Sequence, residues 1–412
     1  MQKFFLGVSV MGVAALGLFF AFSPNNVVPI TDTTQAEMGS TTSTKEATQP
    51  IYQPPKPLEN PPDQIRAIYL TSWSGGSAKK ITQVIDMTKN TSINAVVVDI
   101  KDYSGYVAYD ANVKELDTYK AKEIRIKDID ALIRKLHENN IYVIARITAL
   151  QDPLFAQARP DLSVQDASKT TAQNPIPWQD RKKLSWMDPS SHEVWNYIGA
   201  IARDAALHGF DELNFDYIRF PSDGALSNMY FPHWDKTIPR HEIIAQFFAY
   251  LREQLPTTRL SADLFGLSTV AADDMGIGQV IQDAYTYFDF VCPMVYPSHY
   301  ADGSFGYNKP ALYPYEIVKH SLDVALTRLY PPQVEPTNAS SSSSTPTPPI
   351  TPAPKFRAQL RPWLQDFDLG ADYGPDKVEA QIQATRDALG SDYVGYLLWN
   401  PSNVYIQEGI ID

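Results

Sequence analysis

The chain has 412 residues, 12% of them aromatic, which is enough apolar material for one large decorated barrel or for two or three smaller domains. Its formal net charge of −12 repels the phosphate groups of nucleic acids, which argues against nucleic acid as a partner. The single cysteine, Cys292, excludes an intrachain disulfide and a cluster of thiolate metal ligands.

The N-terminus predicts export from the cytoplasm. Lys3 precedes an uncharged, largely apolar run over residues 4–22, so residues 1–23 are expected to form a signal peptide or a transmembrane anchor. The run lacks a clean small-x-small cleavage site, which favours an uncleaved anchor in the cell membrane with the rest of the chain outside; a secreted protein is the alternative. Only this segment would contact the membrane.

Two tracts have the composition of disordered chain. Residues 24–62 are rich in Ser, Thr and Pro and are predicted to form a flexible linker. A similar tract at about 331–354 is predicted to be a disordered insertion, because the sequence that follows it is too short to hold its own core.

Between these tracts, short apolar runs alternate with amphipathic segments. The predicted strands are residues 65–70, 95–100, 141–147, 212–218, 259–265, 288–295, 358–364 and 394–399. The predicted helices include residues 127–139, 192–208, 241–254, 315–329 and 376–389. Eight β–α units predict a (β/α)8 TIM barrel over residues 63–412. An open doubly wound sheet is the alternative, although the turn after the first strand lacks the GxGxxG spacing of such folds.

In a closed barrel, polar side chains at the C-terminal ends of the strands converge on one mouth. Asp216 alternates with apolar neighbours at the end of strand four, and Asp263 ends strand five. Adjacent strands lie about 5 Å apart, so these carboxyl groups fall within the separations that glycosidases use. One group would protonate the leaving oxygen while the other attacks the anomeric carbon or activates water. A helix cap is the alternative role for either aspartate.

The neighbouring strands supply candidates for substrate binding. Strand two ends with Asp99, Lys101 and Asp102, and the first two share a face, where they would form a salt bridge or bind substrate. Strand three ends with Arg146 and is followed by Asp152. An arginine inside a barrel needs a carboxylate partner, which Asp99 or the aspartate of strand four would provide.

Further candidates for substrate binding follow the other strands. They are Arg219, Tyr296, His299, Asn400, Trp73, Trp363 and Trp399. An indole ring at the mouth stacks on the apolar face of a pyranose, whereas core packing is the alternative for each tryptophan. The tyrosine and histidine would hydrogen-bond sugar hydroxyls or tune the acid. The histidines show neither HExxH nor a paired spacing, so neither a metal nor a cofactor is expected.

The resemblance to a known family rests on seven blocks of sequence that occur in order: RAIYLTSW, NAVVVDIKDYSG, YVIARI with a following QDP, FDELNFDYIRFPSDG, LSADLFG, VCPMVYPSHY and GYLLWNPSNVY. With these blocks the chain resembles the glycosyl hydrolase domain found in many bacterial envelope proteins, a distant relative of the alpha-amylase-type barrels. The resemblance covers about residues 65–412, apart from the insertion.

This resemblance implies a TIM barrel in which Asp216 holds the position of the nucleophile. Asp263 then stands where amylase-type enzymes carry a glutamate as general acid, and it is one methylene shorter. The third acid of those enzymes has only a loose match here, in Asp366 or Asp368.

The sequence therefore predicts a glycoside hydrolase that acts on an envelope or extracellular polysaccharide. Two other classes remain open. One is a non-catalytic module that binds glycan or attaches the protein to the cell wall. The other is a different reaction on carbohydrate, such as that of a lyase, a transglycosidase or a deacetylase.

Overall fold

The computed structural model describes residues 54–331 and 356–410. The predicted export segment at 1–23, most of the predicted linker and nearly all of the predicted insertion lie outside these ranges. Within them, no helix is both long enough and apolar enough to cross a membrane. Residues 54–62, the last part of the predicted linker, lie against the rest of the chain: the Leu58 N–H donates to Asp211 Oδ1 at 2.6 Å.

All eight predicted strands are present, and we number them in chain order. They are β1 (Ile65–Leu70), β2 (Ala95–Lys101), β3 (Tyr142–Thr148), β4 (Glu212–Asp216), β5 (Leu260–Phe265), β6 (Phe290–Met294), β7 (Gln359–Leu360 and Trp363–Gln365) and β8 (Gly395–Trp399). Each strand pairs in parallel with the next one in the chain, and β8 pairs with β1. The ring is closed. The barrel prediction is confirmed, and the open sheet is excluded.

Strand β7 is interrupted by Arg361 and Pro362, a detail absent from the prediction. Proline has no N–H to give to a neighbouring strand. The chain nevertheless keeps its place in the ring, because the Pro362 carbonyl accepts from Leu397 of β8 at 2.9 Å and the Arg361 N–H donates to Val291 of β6 at 3.0 Å.

Ten α-helices are described, and the longer ones follow the strands. They are α1 (Ser72–Gly75), α2 (Ala78–Thr88), α3 (Lys114–Thr118), α4 (Ile129–His137), α5 (Pro153–Ala158), α6 (His192–Leu207), α7 (Arg240–Gln254), α8 (Ile281–Tyr287), α9 (Pro314–Leu329) and α10 (Pro375–Leu389). Side chains of Ser77, Asp128 and Asp152 cap α2, α4 and α5 by accepting a backbone N–H. All five predicted helices are present, with ends shifted by at most two residues.

The strands are buried on both faces, as their near-continuous apolar runs predict. Outward residues such as Ile68 and Val96 pack in the large core between the ring and the helices. Inward residues such as Ala67, Val97 and Ile144 form a separate cluster inside the ring. Because side chains alternate along a strand, this assignment also decides which polar residues face the interior at the mouth.

A long connection joins β3 to β4 and holds a feature that the strand pattern did not predict. The two-residue strand Gln165–Asp166 pairs antiparallel with Met229–Tyr230, which lies after β4. Strands this short carry no readable periodicity. The pairing ties the loop after β3 to the loop after β4, beside the mouth of the barrel.

Candidate active site

One arginine inside the mouth contacts three carboxyl groups. The Arg146 guanidinium donates from Nη1 to Asp99 Oδ1 at 2.6 Å and from Nη2 to Asp216 Oδ2. Its Nε lies 3.6 Å from Asp263 Oδ2. Burial alone would lower the pKa of Arg146, but the charges of Asp99 and Asp216 raise it well above its usual range. The structure thus brings together both predicted catalytic aspartates and two of the predicted binding residues.

Asp216 and Asp263 stand at the same level of neighbouring strands. Strand β4 pairs with β5 so that Asn214 lies opposite Ser261 and Phe215 opposite Ala262. Continuing this register by one residue sets Asp216 opposite Asp263. Parallel strands lie about 4.8 Å apart, and residues two apart point to the same face. Both carboxyl groups therefore point inward, towards Arg146.

Asp263 is the more deeply placed carboxyl group. Its side chain is almost fully buried, and its Oδ1 accepts from Asn214 Nδ2 at 2.8 Å and from Trp363 Nε1 at 2.7 Å. Burial and the neighbouring charge of Asp216 raise its pKa to about 8. Asp263 consequently keeps its proton near neutral pH.

The other two carboxyl groups have different surroundings. Asp216 is 7% exposed, and its Oδ1 accepts from the backbone N–H of Tyr217 at 2.5 Å. Asp99 is held by Tyr69, whose hydroxyl donates to Oδ2 at 2.5 Å. Burial raises the pKa of Asp99, and the Arg146 charge opposes that shift. The cluster contains three acids and one permanent cation, so its protonation state sets its charge.

Aromatic side chains form part of the wall around this cluster. Trp399 is half-buried, stacks on Tyr69 at 3.9 Å between ring centroids, and lies 5.2 Å from the Arg146 guanidinium carbon. Trp363 meets Trp399 edge-on at 5.7 Å but is only 1% exposed, so it is not the open stacking surface that was predicted. Burial and the charges of Asp263 and Asp216 raise the pKa of Tyr296, which therefore borders the same interior.

Lys101 does not share the site with Asp99. Strict alternation predicts one face for both residues, but the register of β2 against β3 shifts between them. Lys101 instead pairs with Asp152 Oδ2 at 2.9 Å and donates to the Thr148 carbonyl, with both charged side chains fully buried. Asp152 also caps α5. This buried pair ties the end of β2 to the loop after β3.

Three more predicted binding residues serve loop structure or lie apart. Asp102 accepts from Ser104 and pairs with Arg125, which orders the turn after β2. Trp73 is 63% exposed and lies over Arg125, at 5.0 Å from the guanidinium carbon to the ring centroid. Asn400 uses its side chain within its own loop, on Ser402 and Val404, and on the Asp366 carbonyl after β7.

His299 and Arg219 border the mouth without joining the ion cluster. His299 is exposed at its side chain and packs edge-on against Tyr296 at 5.2 Å. Arg219 donates from Nη1 to the Phe220 carbonyl and to Ser222 Oγ, both at 3.1 Å. Both keep the positions at strand ends that the sequence predicts.

Neither loose match to a third acid reaches the ion cluster. Asp366 is buried beneath the C-terminal segment, where its Oδ2 accepts from the Ile406 N–H at 3.2 Å. Burial raises the pKa of Asp366 to about 7. Asp368 accepts from the Tyr373 N–H at 2.6 Å and so orders the loop before α10.

Two residues of the site were missed from the sequence. Asn214 lies two residues before Asp216, so alternation along β4 places it on the same inward face. Tyr69 shares the inward face of β1 with Ala67. The signal was therefore present in both strands, but it becomes readable only once the inward face is known.

Comparison with known proteins places this barrel in a family. A sequence profile described as "Putative glycosyl hydrolase domain" matches residues 67–405. The chain belongs to this family. The resemblance seen in the seven sequence blocks is thereby confirmed. Among curated proteins, none matches the chain.

Solved structures similar to this member of the glycosyl hydrolase domain family include one hypothetical protein and several sugar-cleaving enzymes. The hypothetical protein, from Ruminiclostridium thermocellum, is 37% identical over 51% of this chain and 98% of its own, with a TM-score of 0.43. An alpha-galactosidase from Thermus thermophilus is 13% identical over 86% of this chain and 61% of its own, with a TM-score of 0.46. The glycoside hydrolase domain of PelA from Pseudomonas aeruginosa is 10% identical, covering 82% and 95%, with a TM-score of 0.41.

Proposed function

We propose that this protein is a glycoside hydrolase in which Asp216 attacks the anomeric carbon and Asp263 protonates the leaving oxygen. One observation carries the proposal: two carboxyl groups at one level of the mouth differ in their surroundings, and the deeper one has its pKa raised to about 8. Glycoside hydrolysis needs one carboxylate and one carboxylic acid at the same pH. Membership of the glycosyl hydrolase domain family supports the same reaction class.

The contacts of each aspartate support its assigned role. Asp216 is the more exposed, and donors from Arg146 and from the Tyr217 amide orient its carboxylate. Asp263 holds its proton near neutral pH and accepts on Oδ1 from Asn214 and Trp363, which leaves Oδ2 as the oxygen that carries the proton. Donation from Oδ2 to the glycosidic oxygen would then leave a carboxylate beside Arg146.

The register of the strands favours retention of anomeric configuration. Retaining enzymes hold their carboxyl groups about 5–5.5 Å apart, whereas inverting enzymes leave about 6.5–9.5 Å for a water molecule. Residues that face each other on adjacent parallel strands are about 4.8 Å apart, and both aspartates contact a single guanidinium. A covalent glycosyl ester on Asp216 is the expected intermediate.

A second function, glycan binding without turnover, is favoured by one feature of the same site. Asp263 is only 1% exposed, and Arg146 lies against both acids, so the pair is partly shielded from a ligand. In that case the aromatic wall around Trp399 would bind the glycan while the bond stays intact.

The test is turnover of a panel of neutral and acidic polysaccharides, with the anomeric configuration of fresh product read by proton NMR. Retention is expected, together with a peptide bearing a glycosyl group on Asp216 after incubation with a 2-deoxy-2-fluoro glycosyl fluoride of the sugar that is cleaved. Inverted product would remove the covalent step. Saturable binding with no released sugar would contradict the hydrolase and favour glycan binding without turnover.

We also place the substrate outside the cytoplasm, in the envelope or the extracellular medium. The support is the apolar run at residues 4–22 behind Lys3, which has the pattern of an export segment. Fractionation of cells producing the full chain should recover it with membranes or in the medium. Recovery with the cytoplasmic fraction alone would contradict this placement.

A further inference from the structure

Arg219 differs from the other buried arginines near the barrel interior. Arg146 contacts three carboxyl groups, and Arg361 pairs with Glu212. Arg219 is 8% exposed, yet within the described residues its hydrogen bonds go only to the Phe220 carbonyl and to Ser222. A buried charge without an opposite charge is costly, so such a residue is normally paired.

Three aromatic rings surround this guanidinium. Its central carbon lies 4.5 Å from the ring centroid of Phe265, 4.7 Å from that of Trp186 and 5.4 Å from that of Tyr217. Cation–π attraction offsets part of the cost of burial. The rings also hold the planar group in place, which prepares it for a ligand of matching shape.

One edge of the guanidinium remains available. Only Nη1 of Arg219 donates a hydrogen bond within the described ranges. Nε and Nη2 are not among the fully enclosed polar atoms that lack a partner, so they retain access to solvent. These two N–H groups form the parallel fork that fits both oxygens of a carboxylate.

The strands that carry the two aspartates also lead into this pocket. Tyr217 directly follows Asp216, and its φ of 55° turns the chain sharply after β4. Phe265 lies two residues after Asp263, at the end of β5. Burial lowers the pKa of Arg219, and the neighbouring Tyr217, Asp216, Asp223 and Asp180 oppose the shift, so carboxylates lie near the guanidinium without accepting a hydrogen bond from it. An anion on Arg219 would therefore sit beside the bond to be cleaved.

A cleft of about 980 Å³ lies over the loops after β3 and β4. It is lined by residues such as Asp180, Arg181 and Lys183 and does not include the two catalytic aspartates. Trp186 links it to the arginine pocket, because its ring faces Arg219 and its Nε1 donates to Asp180 at 3.1 Å. The lining of the cleft holds three basic side chains, Lys169, Arg181 and Lys183, against two acidic ones, Asp166 and Asp180, which is a small positive excess in a chain whose net charge is −12.

We propose that the glycan is acidic and that the carboxylate of a uronic acid unit pairs with the Nε and Nη2 edge of Arg219, with further sugars along the cleft. This inference rests on the proposed function, since it names the substrate class of that same site. A neutral sugar would offer the fork of Arg219 only hydroxyl oxygens, which carry no charge to balance the guanidinium.

The test compares each acidic fragment with its own neutral form. Short fragments of polygalacturonate, alginate and a glucuronate-containing polysaccharide are titrated into the full-length protein calorimetrically, before and after reduction of their carboxyl groups to alcohols. At least one acidic fragment should bind about tenfold or more tightly than its reduced form. Raising the salt concentration should shrink that ratio. If no pair shows a preference, the inference is wrong.

Variants then locate the preference. Arg219→Gln should remove the preference for the acidic fragment over its reduced form. Arg219→Lys should keep part of that preference, because the charge stays while the fork is lost. Arg203→Gln is the matched control: it removes one charge from the exposed face of α6, where Arg203 donates to Gln254, and should leave the ratio unchanged. If Arg219→Gln kept the full preference, the assignment would be wrong. A loss of stability in this variant would not obscure the result, because both ligands are measured on the same protein.

Two further outcomes separate this inference from the proposed function. Acid-selective binding without turnover would contradict the hydrolase and keep the acidic ligand. Equal turnover of acidic and reduced fragments would keep the hydrolase and contradict the acidic ligand. Equal affinity for a sulfated neutral fragment of the same length would also overturn the inference, because the site would then select any anion rather than a uronic acid.

Discussion

The barrel holds two buried clusters of arginine and carboxylate, one at each end. At the mouth, in what we call the upper cluster, Arg146 contacts three carboxyl groups. At the opposite end, in what we call the lower cluster, Arg361 forms an ion pair with Glu212; both are fully buried, and the Tyr142 hydroxyl donates to Glu212 Oε2 at 3.1 Å. Strand β4 contributes to both clusters, since Glu212 begins it and Asp216 ends it.

The difference between the two clusters lies in their balance of charge. The lower cluster has one acid for one base, as a pair that stabilises the fold does. The upper cluster has three acids for one base, and Asp263 takes up the imbalance by keeping a proton. In TIM barrels the C-terminal end carries chemistry and the N-terminal end carries stability. Arginine and carboxylate thus occur at both ends of the barrel with a different ratio of acid to base.

Replacing the carboxylate at either end of β4 by its amide should give the largest difference in activity between the two clusters. Asp216→Asn should lower kcat/KM by about 10³- to 10⁴-fold, because an amide cannot attack the anomeric carbon. Glu212→Gln should leave kcat/KM of the folded protein within about threefold, because Glu212 lies at the far end of the barrel. Initial rates on the substrate found by the panel measure both. An equal loss of kcat/KM in the two variants would show that the two clusters do not differ in their effect on activity.

Breaking the lower pair should cost stability instead of activity. Arg361→Met leaves the Glu212 carboxylate buried without its partner and should lower the free energy of unfolding by about 3–5 kcal/mol. The double variant with Glu212→Gln removes that orphaned charge and should recover part of the loss. Chemical denaturation monitored by tryptophan fluorescence tests both. A double variant less stable than Arg361→Met would show that the pair is not the source of the effect.

The proton on Asp263 predicts that the free energy of unfolding depends on pH. The native pKa is about 8, and an unfolded aspartate titrates near 3.9, so the native state binds more protons between these values. Stability should therefore fall as the pH rises through that window, by up to about 1.4 kcal/mol per pH unit, and level off above it. Asp263→Asn should lack this contribution. Parallel stability curves for both proteins from pH 5 to pH 9 would contradict the raised pKa.

Activity should follow the same proton. In the proposed mechanism only protonated Asp263 can donate to the leaving oxygen, so kcat/KM should decrease about tenfold per pH unit above pH 8. Substrates with an activated leaving group, such as a nitrophenol, need no such proton and should show a weaker decrease. If kcat/KM decreased equally for both kinds of substrate, the decrease above pH 8 would belong to a group other than Asp263.

Much of the fold and part of the site were predictable from the sequence. Apolar runs identified the eight strands, and the strand ends identified Asp216, Asp263 and Arg146. Pairing within the site was harder to predict. Alternation placed Lys101 beside Asp99, but a register shift in β2 sent it to Asp152 instead. A one-residue irregularity reverses the face of a side chain, and no local pattern announces it.

The surroundings of Arg219 were not predictable for a different reason. Trp186 approaches it from the long connection between β3 and β4, which has no periodicity and is held by short pairings such as Gln165 with Tyr230. Contacts of this kind depend on how a loop folds back on the barrel. The exposure of the tryptophans near the mouth was not predictable for the same reason: Trp363 is buried, whereas Trp73 is exposed.

The two tryptophans that keep some exposure near the mouth allow a finer and smaller test. Trp399 is fixed by Tyr69 and lies over Arg146, next to the acids, so a sugar stacked on it would sit at the reacting bond. Trp399→Ala should raise KM by about five- to tenfold, the loss of one aromatic contact. Trp73 lies over Arg125 on a separate loop, and Trp73→Ala should change KM less than twofold on short substrates. A larger effect at Trp73 would move the principal sugar-binding position away from Arg146, and the interior cluster would then be too distant to act on the bound bond.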